Sequence, residues 1–260
     1  MLWYAKHYVL PMKKVSRDSL NWLEFEQFND DPHITHGVFM RHGGVSPPPF
    51  DSLNVGCSTG DSREHLVRNQ ELIQEALGLP VIARVTQVHG DEVIVVDDNV
   101  PGMTAQADAL LTNRPGMTLM VQIADCQSVL LYEPQSRVIA NIHCGWRGSL
   151  LNLIGRTMEQ AAVLGAEPSR MIAAVGPSLG PCCAEYRDHE KMFPREWQKY
   201  HVGRNYFDFW AITRDQLTAA GVNPGSIEVA GICTKCSTKD FFSYRSQAVT
   251  GRFASVIGLR

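Results

Sequence analysis

Between residues 107 and 144 the chain carries short apolar segments in close succession: ADALLT (107 to 112), TLMVQIAD (118 to 125), QSVLLYE (127 to 133) and RVIANIHC (137 to 144). They are punctuated by Arg114-Pro115-Gly116 and Glu133-Pro134. Each is short and bounded by turn formers, with Val and Ile frequent, so each reads as a buried strand and the middle of the chain as a sheet. Polar, reactive groups stand at the ends of these runs. Asp125 and Cys126 lie between two of them, and His143 closes the last, running into Cys144-Gly145-Trp146-Arg147-Gly148.

The flanking sequence supplies helices and further strands. HITHGVFMRH (33 to 42) reads as a strand ending at Gly43-Gly44, and the prolines 47 to 49 then impose a rigid loop. Residues 61 to 79 read as a helix, with Asp61 and Ser62 as caps and Gly78 as the stop. IARVTQVHG (82 to 90) and EVIVVDD (92 to 98) look like a hairpin turning at Gly90-Asp91, with His89 at the turn. After Gly148 the apolar period becomes 3.6 (Leu150, Leu151, Ile154, Met158, Ala161, Ala162), which predicts a helix on the sheet, ending at Gly165. MIAAVGPSLG (171 to 180), SIEVAGICT (226 to 234) and FASVIGL (253 to 259) read as strands, and 189 to 203 and 213 to 221 as helices. With no repeat or linker, the fold class expected is α/β (α+β): one domain over 1 to 260, a mixed β-sheet core flanked by helices.

Composition narrows the function. A net charge of -3, from 24 basic and 27 acidic residues without long blocks, gives no footprint for nucleic acid or a membrane surface. The apolar N-terminal stretch is broken by Lys6, His7 and Pro11, so it reads as neither a secretory signal nor a membrane span. Seven cysteines, an odd number set within apolar segments, do not form a secreted disulfide framework; a cytoplasmic protein with reduced thiols is expected.

His89, Cys126 and His143 each sit where a predicted strand ends, and three such ends on one sheet edge can bring a thiolate and two imidazoles together. Three N/S ligands with a fourth position left to water is the pattern of catalytic zinc, which lowers the pKa of bound water to about 7. The competing reading makes Cys126 a small buried hydrophobe and each histidine a hydrogen-bonded strand end. Asp125, next to Cys126, either orients a ligand, steadies a loop or caps a turn. Arg41 before Gly43-Gly44 and Arg147 at a helix start suit an anion such as phosphate, or else surface ion pairs. Tyr244, Arg245 and Arg252 in FFSYRSQAVTGR (241 to 252) add stacking and anion contacts. Cys233-x-x-Cys236 is a redox pair or half of a structural zinc site, and we favour a structural role; Cys182-Cys183 receive no chemistry.

Taken together, RHGGVS (41 to 46), SLNVG (52 to 56), QVHG (87 to 90), ADALLT (107 to 112), DCQSVLLYEP (125 to 134), HCGWRGSL (143 to 150), GPSLGPCC (176 to 183), FFSYR (241 to 245) and TGR (250 to 252) carry a resemblance. In this order they resemble the purine nucleoside phosphorylase family, also known as the multicopper polyphenol oxidase or laccase-domain family, over about residues 33 to 260. The resemblance implies zinc on His89, Cys126 and His143, phosphorolysis of adenosine, inosine or methylthioadenosine, and hydrolytic deamination of adenosine. Arg41 and Arg245 are then the candidate phosphate holders, with Arg147 and Tyr244 as further substrate contacts. Two positions depart from the family pattern: Ser246 stands where a second arginine is common, and Cys183 near a position usually held by tyrosine.

Other readings compete. A copper oxidase of phenols would replace zinc by Cu2+, but such sites need histidines in close His-x-His patterns, which His33 and His36 do not supply. A metal-free cysteine hydrolase would use Cys126 as nucleophile and His143 as base. An editing hydrolase of peptidoglycan precursors, or a binding protein with structural zinc, completes the set.

Overall fold

The structure, a computed structural model, describes residues 12–78, 81–97 and 105–260. The reading of the N-terminal stretch falls largely on residues 1–11, and so outside the described residues. Among the described residues the strands form two six-stranded mixed sheets rather than one. The first sheet contains β1 (Lys13–Arg17), β2 (Leu20–Glu24), β3 (Ile34–Phe39), β4 (Val81–Ala83), β7 (Met117–Ile123) and β12 (Phe253–Leu259), in the order β1-β2-β3-β12-β7-β4. The second contains β5 (Val93–Val95), β6 (Ala109–Thr112), β8 (Gln127–Glu133), β9 (Val138–Cys144), β10 (Ile172–Val175) and β11 (Ile227–Val229), in the order β11-β10-β8-β9-β6-β5.

The period of two sends successive side chains to opposite faces, and in the central strands β3, β7, β8, β9 and β12 apolar residues on both parities bury both faces. Val38, Leu119, Val121, Phe253 and Ile257 of the first sheet pack against Leu110, Leu130, Tyr132, Ile139 and Ala174 of the second. Alternate residues of the second sheet, Leu111, Val129, Leu131, Ala140 and Ile142, face outward onto α3 (Leu153–Val163) and α5 (Phe209–Ala219). The outer face of the first sheet, with Phe39, Met120 and Val256, is covered by Ile73 and Leu77 of α1 (Arg63–Leu77). The result is helix, sheet, sheet, helix. Full burial of each such aliphatic side chain contributes about 1.5–3 kcal/mol before conformational entropy is subtracted. Asn141, buried between the sheets, donates to the carbonyls of Leu119 (3.0 Å) and Ser255 (2.9 Å), tying the second sheet to the first.

Several sequence expectations are corrected. Residues 82 to 98 do not form a hairpin: β4 pairs parallel with β7 in one sheet and β5 pairs parallel with β6 in the other. The segment between them is therefore a crossing from sheet to sheet, and it carries His89. The helix after Gly148 is broken into α2 (Trp146–Leu150) and α3 by Asn152, whose φ of 56° cannot continue a right-handed helix. Residues 189 to 203 hold α4 (His189–Met192) and then a 3-10 helix, Arg195–Tyr200, with Pro194 between them. The last helix, α5, starts earlier than predicted because Asp208 caps it, accepting from the Ala211 N–H. α1 follows its expected caps, Ser62 accepting from the His65 N–H and Gly78 at φ 69° closing it. Among the described residues, no helix is long and apolar enough to cross a membrane.

Candidate metal centre and cavity

The site begins with strand parity. In β9, Ile139, Asn141 and His143 share the face between the sheets, while Ala140, Ile142 and Cys144 face the outer helices. His143 is thus directed inward at the strand end. The Cys144 side chain is buried on the opposite face, where burial pushes its thiol up to about 12, and its sulfur is not one of the clustered ligand atoms. Asp108, just before β6, extends the β6–β9 ladder by one step: the His143 N–H donates to the Asp108 carbonyl (2.7 Å). Its carboxylate lies 2.8 Å from His143 Nδ1, which leaves Nε2 as the nitrogen free to bind a metal.

The same carboxylate shapes the neighbouring turn. It accepts the backbone N–H groups of Val88 (3.1 Å), His89 (3.0 Å) and Gly90 (2.7 Å). These bonds hold His89 at φ 60°, an uncommon conformation for a non-glycine residue, and set its ring 4.8 Å from that of His143. Gln87 anchors the other side, exchanging hydrogen bonds with the Gln122 backbone (2.7 and 2.9 Å). Asp108 was not singled out from the sequence; its signal was an acid inside the apolar run ADALLT.

Cys126 directly precedes β8, and β8 pairs with β9 so that Gln127 lies opposite Cys144 and Ser128 opposite His143. The pairing brings the Cys126 sulfur to the two imidazoles, and the ligand atoms of His89, Cys126 and His143 all lie within 4.8 Å of one another. Gly145 makes room: a Cβ there would stand 2.8 Å from the Cys126 sulfur. Burial opposes ionisation of the thiol, yet His143 and His89 outweigh it and bring Cys126 down to about 6. Burial likewise opposes charge on His143, but Cys126 and Asp108 raise it to about 9. One thiolate, two imidazoles and a carboxylate behind one of them form a donor set that fits a divalent transition metal. His89 is exposed and His143 buried, so the open side faces solvent.

That side is a cavity of about 680 Å³. The histidines and Cys126 stand in its lining with the aromatic rings of Tyr186, Phe209 and Tyr244 and the cations Arg245 and Arg252. Its size and apolar walls with a few polar groups are those of a small-molecule site.

Residues 35–260 match the family described as multi-copper polyphenol oxidoreductase laccase. The chain belongs to this family. A relative from Deinococcus radiodurans named purine nucleoside phosphorylase is 39% identical over 237 residues, covering 87% of this chain and 89% of its own. Another, purine nucleoside phosphorylase YlmD from Geobacillus stearothermophilus, is 33% identical over 250 residues and covers 86% of this chain and 89% of its own. The crystal structure of YlmD from Geobacillus stearothermophilus superposes with a TM-score of 0.85 at 29% identity, over 96% of this chain and 100% of that one. That of Bacillus licheniformis hypothetical protein YfiH gives 0.84 at 28% identity, over 94% and 97%. The two-sheet architecture is that of these laccase-family structures.

The other residues named from the sequence divide around this laccase-family cavity. Asp125, at φ 86°, lies in its lining between β7 and β8. Its carboxylate accepts from Thr234 Oγ1 and Ser243 Oγ (both 2.7 Å) and from the Arg245 N–H (2.5 Å), so it fastens the segments carrying Tyr244 and Arg245 to the strand ends. Arg245 donates to the Glu185 carbonyl (2.9 Å) and lies over the Tyr186 ring. Arg252 donates to the carbonyls of Thr250 (3.0 Å) and Gly251 (2.9 Å). Arg41 is not in the lining: its guanidinium bonds the carbonyls of Asp51 and Thr238, pairs with the Asp51 carboxylate and lies over Phe242. Arg147 is exposed on α2 beside Trp146 and is also absent from the lining. His36 is buried, accepts the Phe25 N–H (2.7 Å) and packs on Phe25 and Phe28, remote in role from any metal.

Proposed function

We propose that this chain is a zinc-dependent purine nucleoside phosphorylase whose cavity also deaminates adenosine. The observation that carries the reading is one cavity with a His-Cys-His donor set, aromatic walls and arginines together in its lining. The relatives named purine nucleoside phosphorylase support it.

In this reading the rings of Tyr186, Phe209 and Tyr244 face the purine, whose flat apolar faces suit them. Arg245 and Arg252 hold phosphate as it attacks the anomeric carbon and the base leaves with the bonding electrons. Arg41, engaged outside the cavity, gives up its expected role to Arg252. Asp125 acts as a positioning residue, fixing the Arg245 backbone. Zinc on His89, Cys126 and His143 would supply Lewis-acid polarisation and activation of water at neutral pH. Asp108 holds the tautomer of His143 that leaves Nε2 for the ion.

Zinc is favoured over the copper of the family's description. Two imidazoles and one thiolate that leave a fourth position open are the ligand pattern of catalytic zinc. Among the described residues the other group able to hold a metal is made of cysteines, with no histidines for a multicopper cluster.

The test is chromatography of products from zinc-loaded protein. Adenosine with phosphate should give adenine and ribose 1-phosphate, adenosine alone should give inosine, and His89→Ala should abolish both. Intact adenosine in every case would refute the reading.

A further inference from the structure

Four cysteines outside the cavity lining meet close to chain neighbours, Leu179 and Ala184, that stand in it. Cys182 and Cys183 lie in the loop after β10, and Cys233 and Cys236 in the segment after β11. Their sulfurs all lie within 4.8 Å of one another, with Cys182–Cys236 at 3.7 Å and Cys183–Cys236 at 3.5 Å. We propose that these four cysteines form a second metal site, a closed tetrahedral zinc centre that clamps the 180–184 turn to the 233–237 turn.

The spacing decides between this and a disulfide. Four sulfurs at about 2.3 Å from a central zinc are about 3.8 Å apart along the tetrahedron edges, close to the separations seen. A disulfide requires about 2.05 Å, and no pair among the seven cysteines is bonded. The backbone is also shaped for a metal. Residues 180–184 form a turn in which the N–H groups of Cys183 and Ala184 both donate to the Gly180 carbonyl (2.9 Å), bringing consecutive thiols to one place. Residues 233–237 form a second turn, closed by the Ser237 N–H on the Cys233 carbonyl (3.0 Å). The backbone of Gly180 and Cys236 hydrogen-bonds to the Cys233 sulfur, the support that a metal thiolate needs. Gly180 is required there, because a Cβ would meet Trp210 at 2.8 Å and the Cys233 Cβ at 3.1 Å.

With four protein sulfurs the site has no open position, so it is structural rather than catalytic. What it holds is the wall of the cavity. Thr234, between the two ligands of the second turn, donates to Asp125, and the Leu179 N–H donates to the Asp125 carbonyl (2.8 Å). Ser178 bridges to Cys233 as a short parallel pair.

Zinc analysis of the protein purified under reducing conditions tests this independently of any activity. Cys182→Ser/Cys236→Ser should lose one molar equivalent of zinc relative to the parent chain, whatever the His-Cys-His site contains. His89→Ala should retain one equivalent, with an X-ray absorption first shell of four sulfurs at about 2.3 Å. Unchanged zinc content in the double variant, zinc-free His89→Ala, or a Cys183–Cys236 disulfide in the isolated protein would each overturn the proposal. If the double variant does not fold, the His89→Ala spectrum decides alone.

Discussion

Asp108 stands 2.8 Å from His143 Nδ1 and, with the same carboxylate, takes the N–H groups that fix the turn of His89. One side chain thus sets the tautomer of one candidate ligand and the backbone of another. Asp108→Asn keeps the shape but replaces one acceptor oxygen by a donor NH2. We expect metal affinity to fall by about 10–100-fold, as for other partners of ligating histidines. Competition titration against a chelator measures it, and affinity equal to that of the parent would show that Asp108 serves the fold alone.

Gly145→Ala sets a methyl group 2.8 Å from the Cys126 sulfur. The backbone φ of -86° tolerates alanine, so the conflict falls on the sulfur. Metal content and activity should drop while the circular dichroism spectrum stays that of the parent. Full metal occupancy in the variant would mean that Cys126 has another way to reach the ion.

Removal of metal exposes the acidity of Cys126. Its thiol, at about 6, should react with iodoacetamide half-maximally near that pH, against about 8.5 for an unperturbed cysteine. His143→Ala removes the largest attraction and should move the midpoint upward. Mass spectrometry of the alkylated peptide across pH reads both, and a midpoint that ignores His143 would contradict the proposed pairing.

Phosphate and purine chemistry should separate at Arg252. Loss of a charge-assisted contact of about 1.5–3 kcal/mol raises the phosphate KM by about 10–100-fold in Arg252→Ala, while deamination, which uses no phosphate, changes far less. Equal losses in both reactions would place Arg252 in nucleoside binding instead.

Acid should destabilise the protein through His36, whose burial holds it down at about 3 in the fold against 6.5 when unfolded. A base with a lowered folded pKa contributes stability that is present above 6.5 and is lost as pH falls from 6.5 toward 3, at up to about 1.4 kcal/mol per pH unit. In urea unfolding, His36→Gln should flatten that slope. A slope unaltered by the substitution would assign acid lability to other groups.

The sequence displayed the clustered His-Cys-His trio better than its surroundings. His89, Cys126 and His143 were legible because a reactive group at the end of an apolar run has no packing reason to be there. The separation into two sheets was not, because β4 and β5 are each three residues long and pair in parallel with distant strands. Local pattern says nothing of which neighbour a strand takes. Arg41 fell outside the cavity for a related reason: residue type tells the charge, whereas Asp51, Thr238 and Phe242, which engage it, come from other parts of the chain, and Arg245, read from the same kind of signal, does stand in the lining. Asp108 was visible as an acid among apolar residues, and its two duties emerged only with the β6–β9 register.

The crossing between the sheets also governs when an ion can bind. His89 rides the passage from one sheet to the other, while Cys126 and His143 belong to a hairpin of the second sheet. No local stretch of the nascent polypeptide reproduces that trio, so this chelate exists only once the crossing and the hairpin have met, and a denatured chain offers the cation only its local thiol pairs, Cys182-Cys183 and Cys233-x-x-Cys236. Occupancy there is consequently expressed as resistance to unfolding, by RT ln(1 + [L]/Kd) less whatever those thiols bind in the denatured chain.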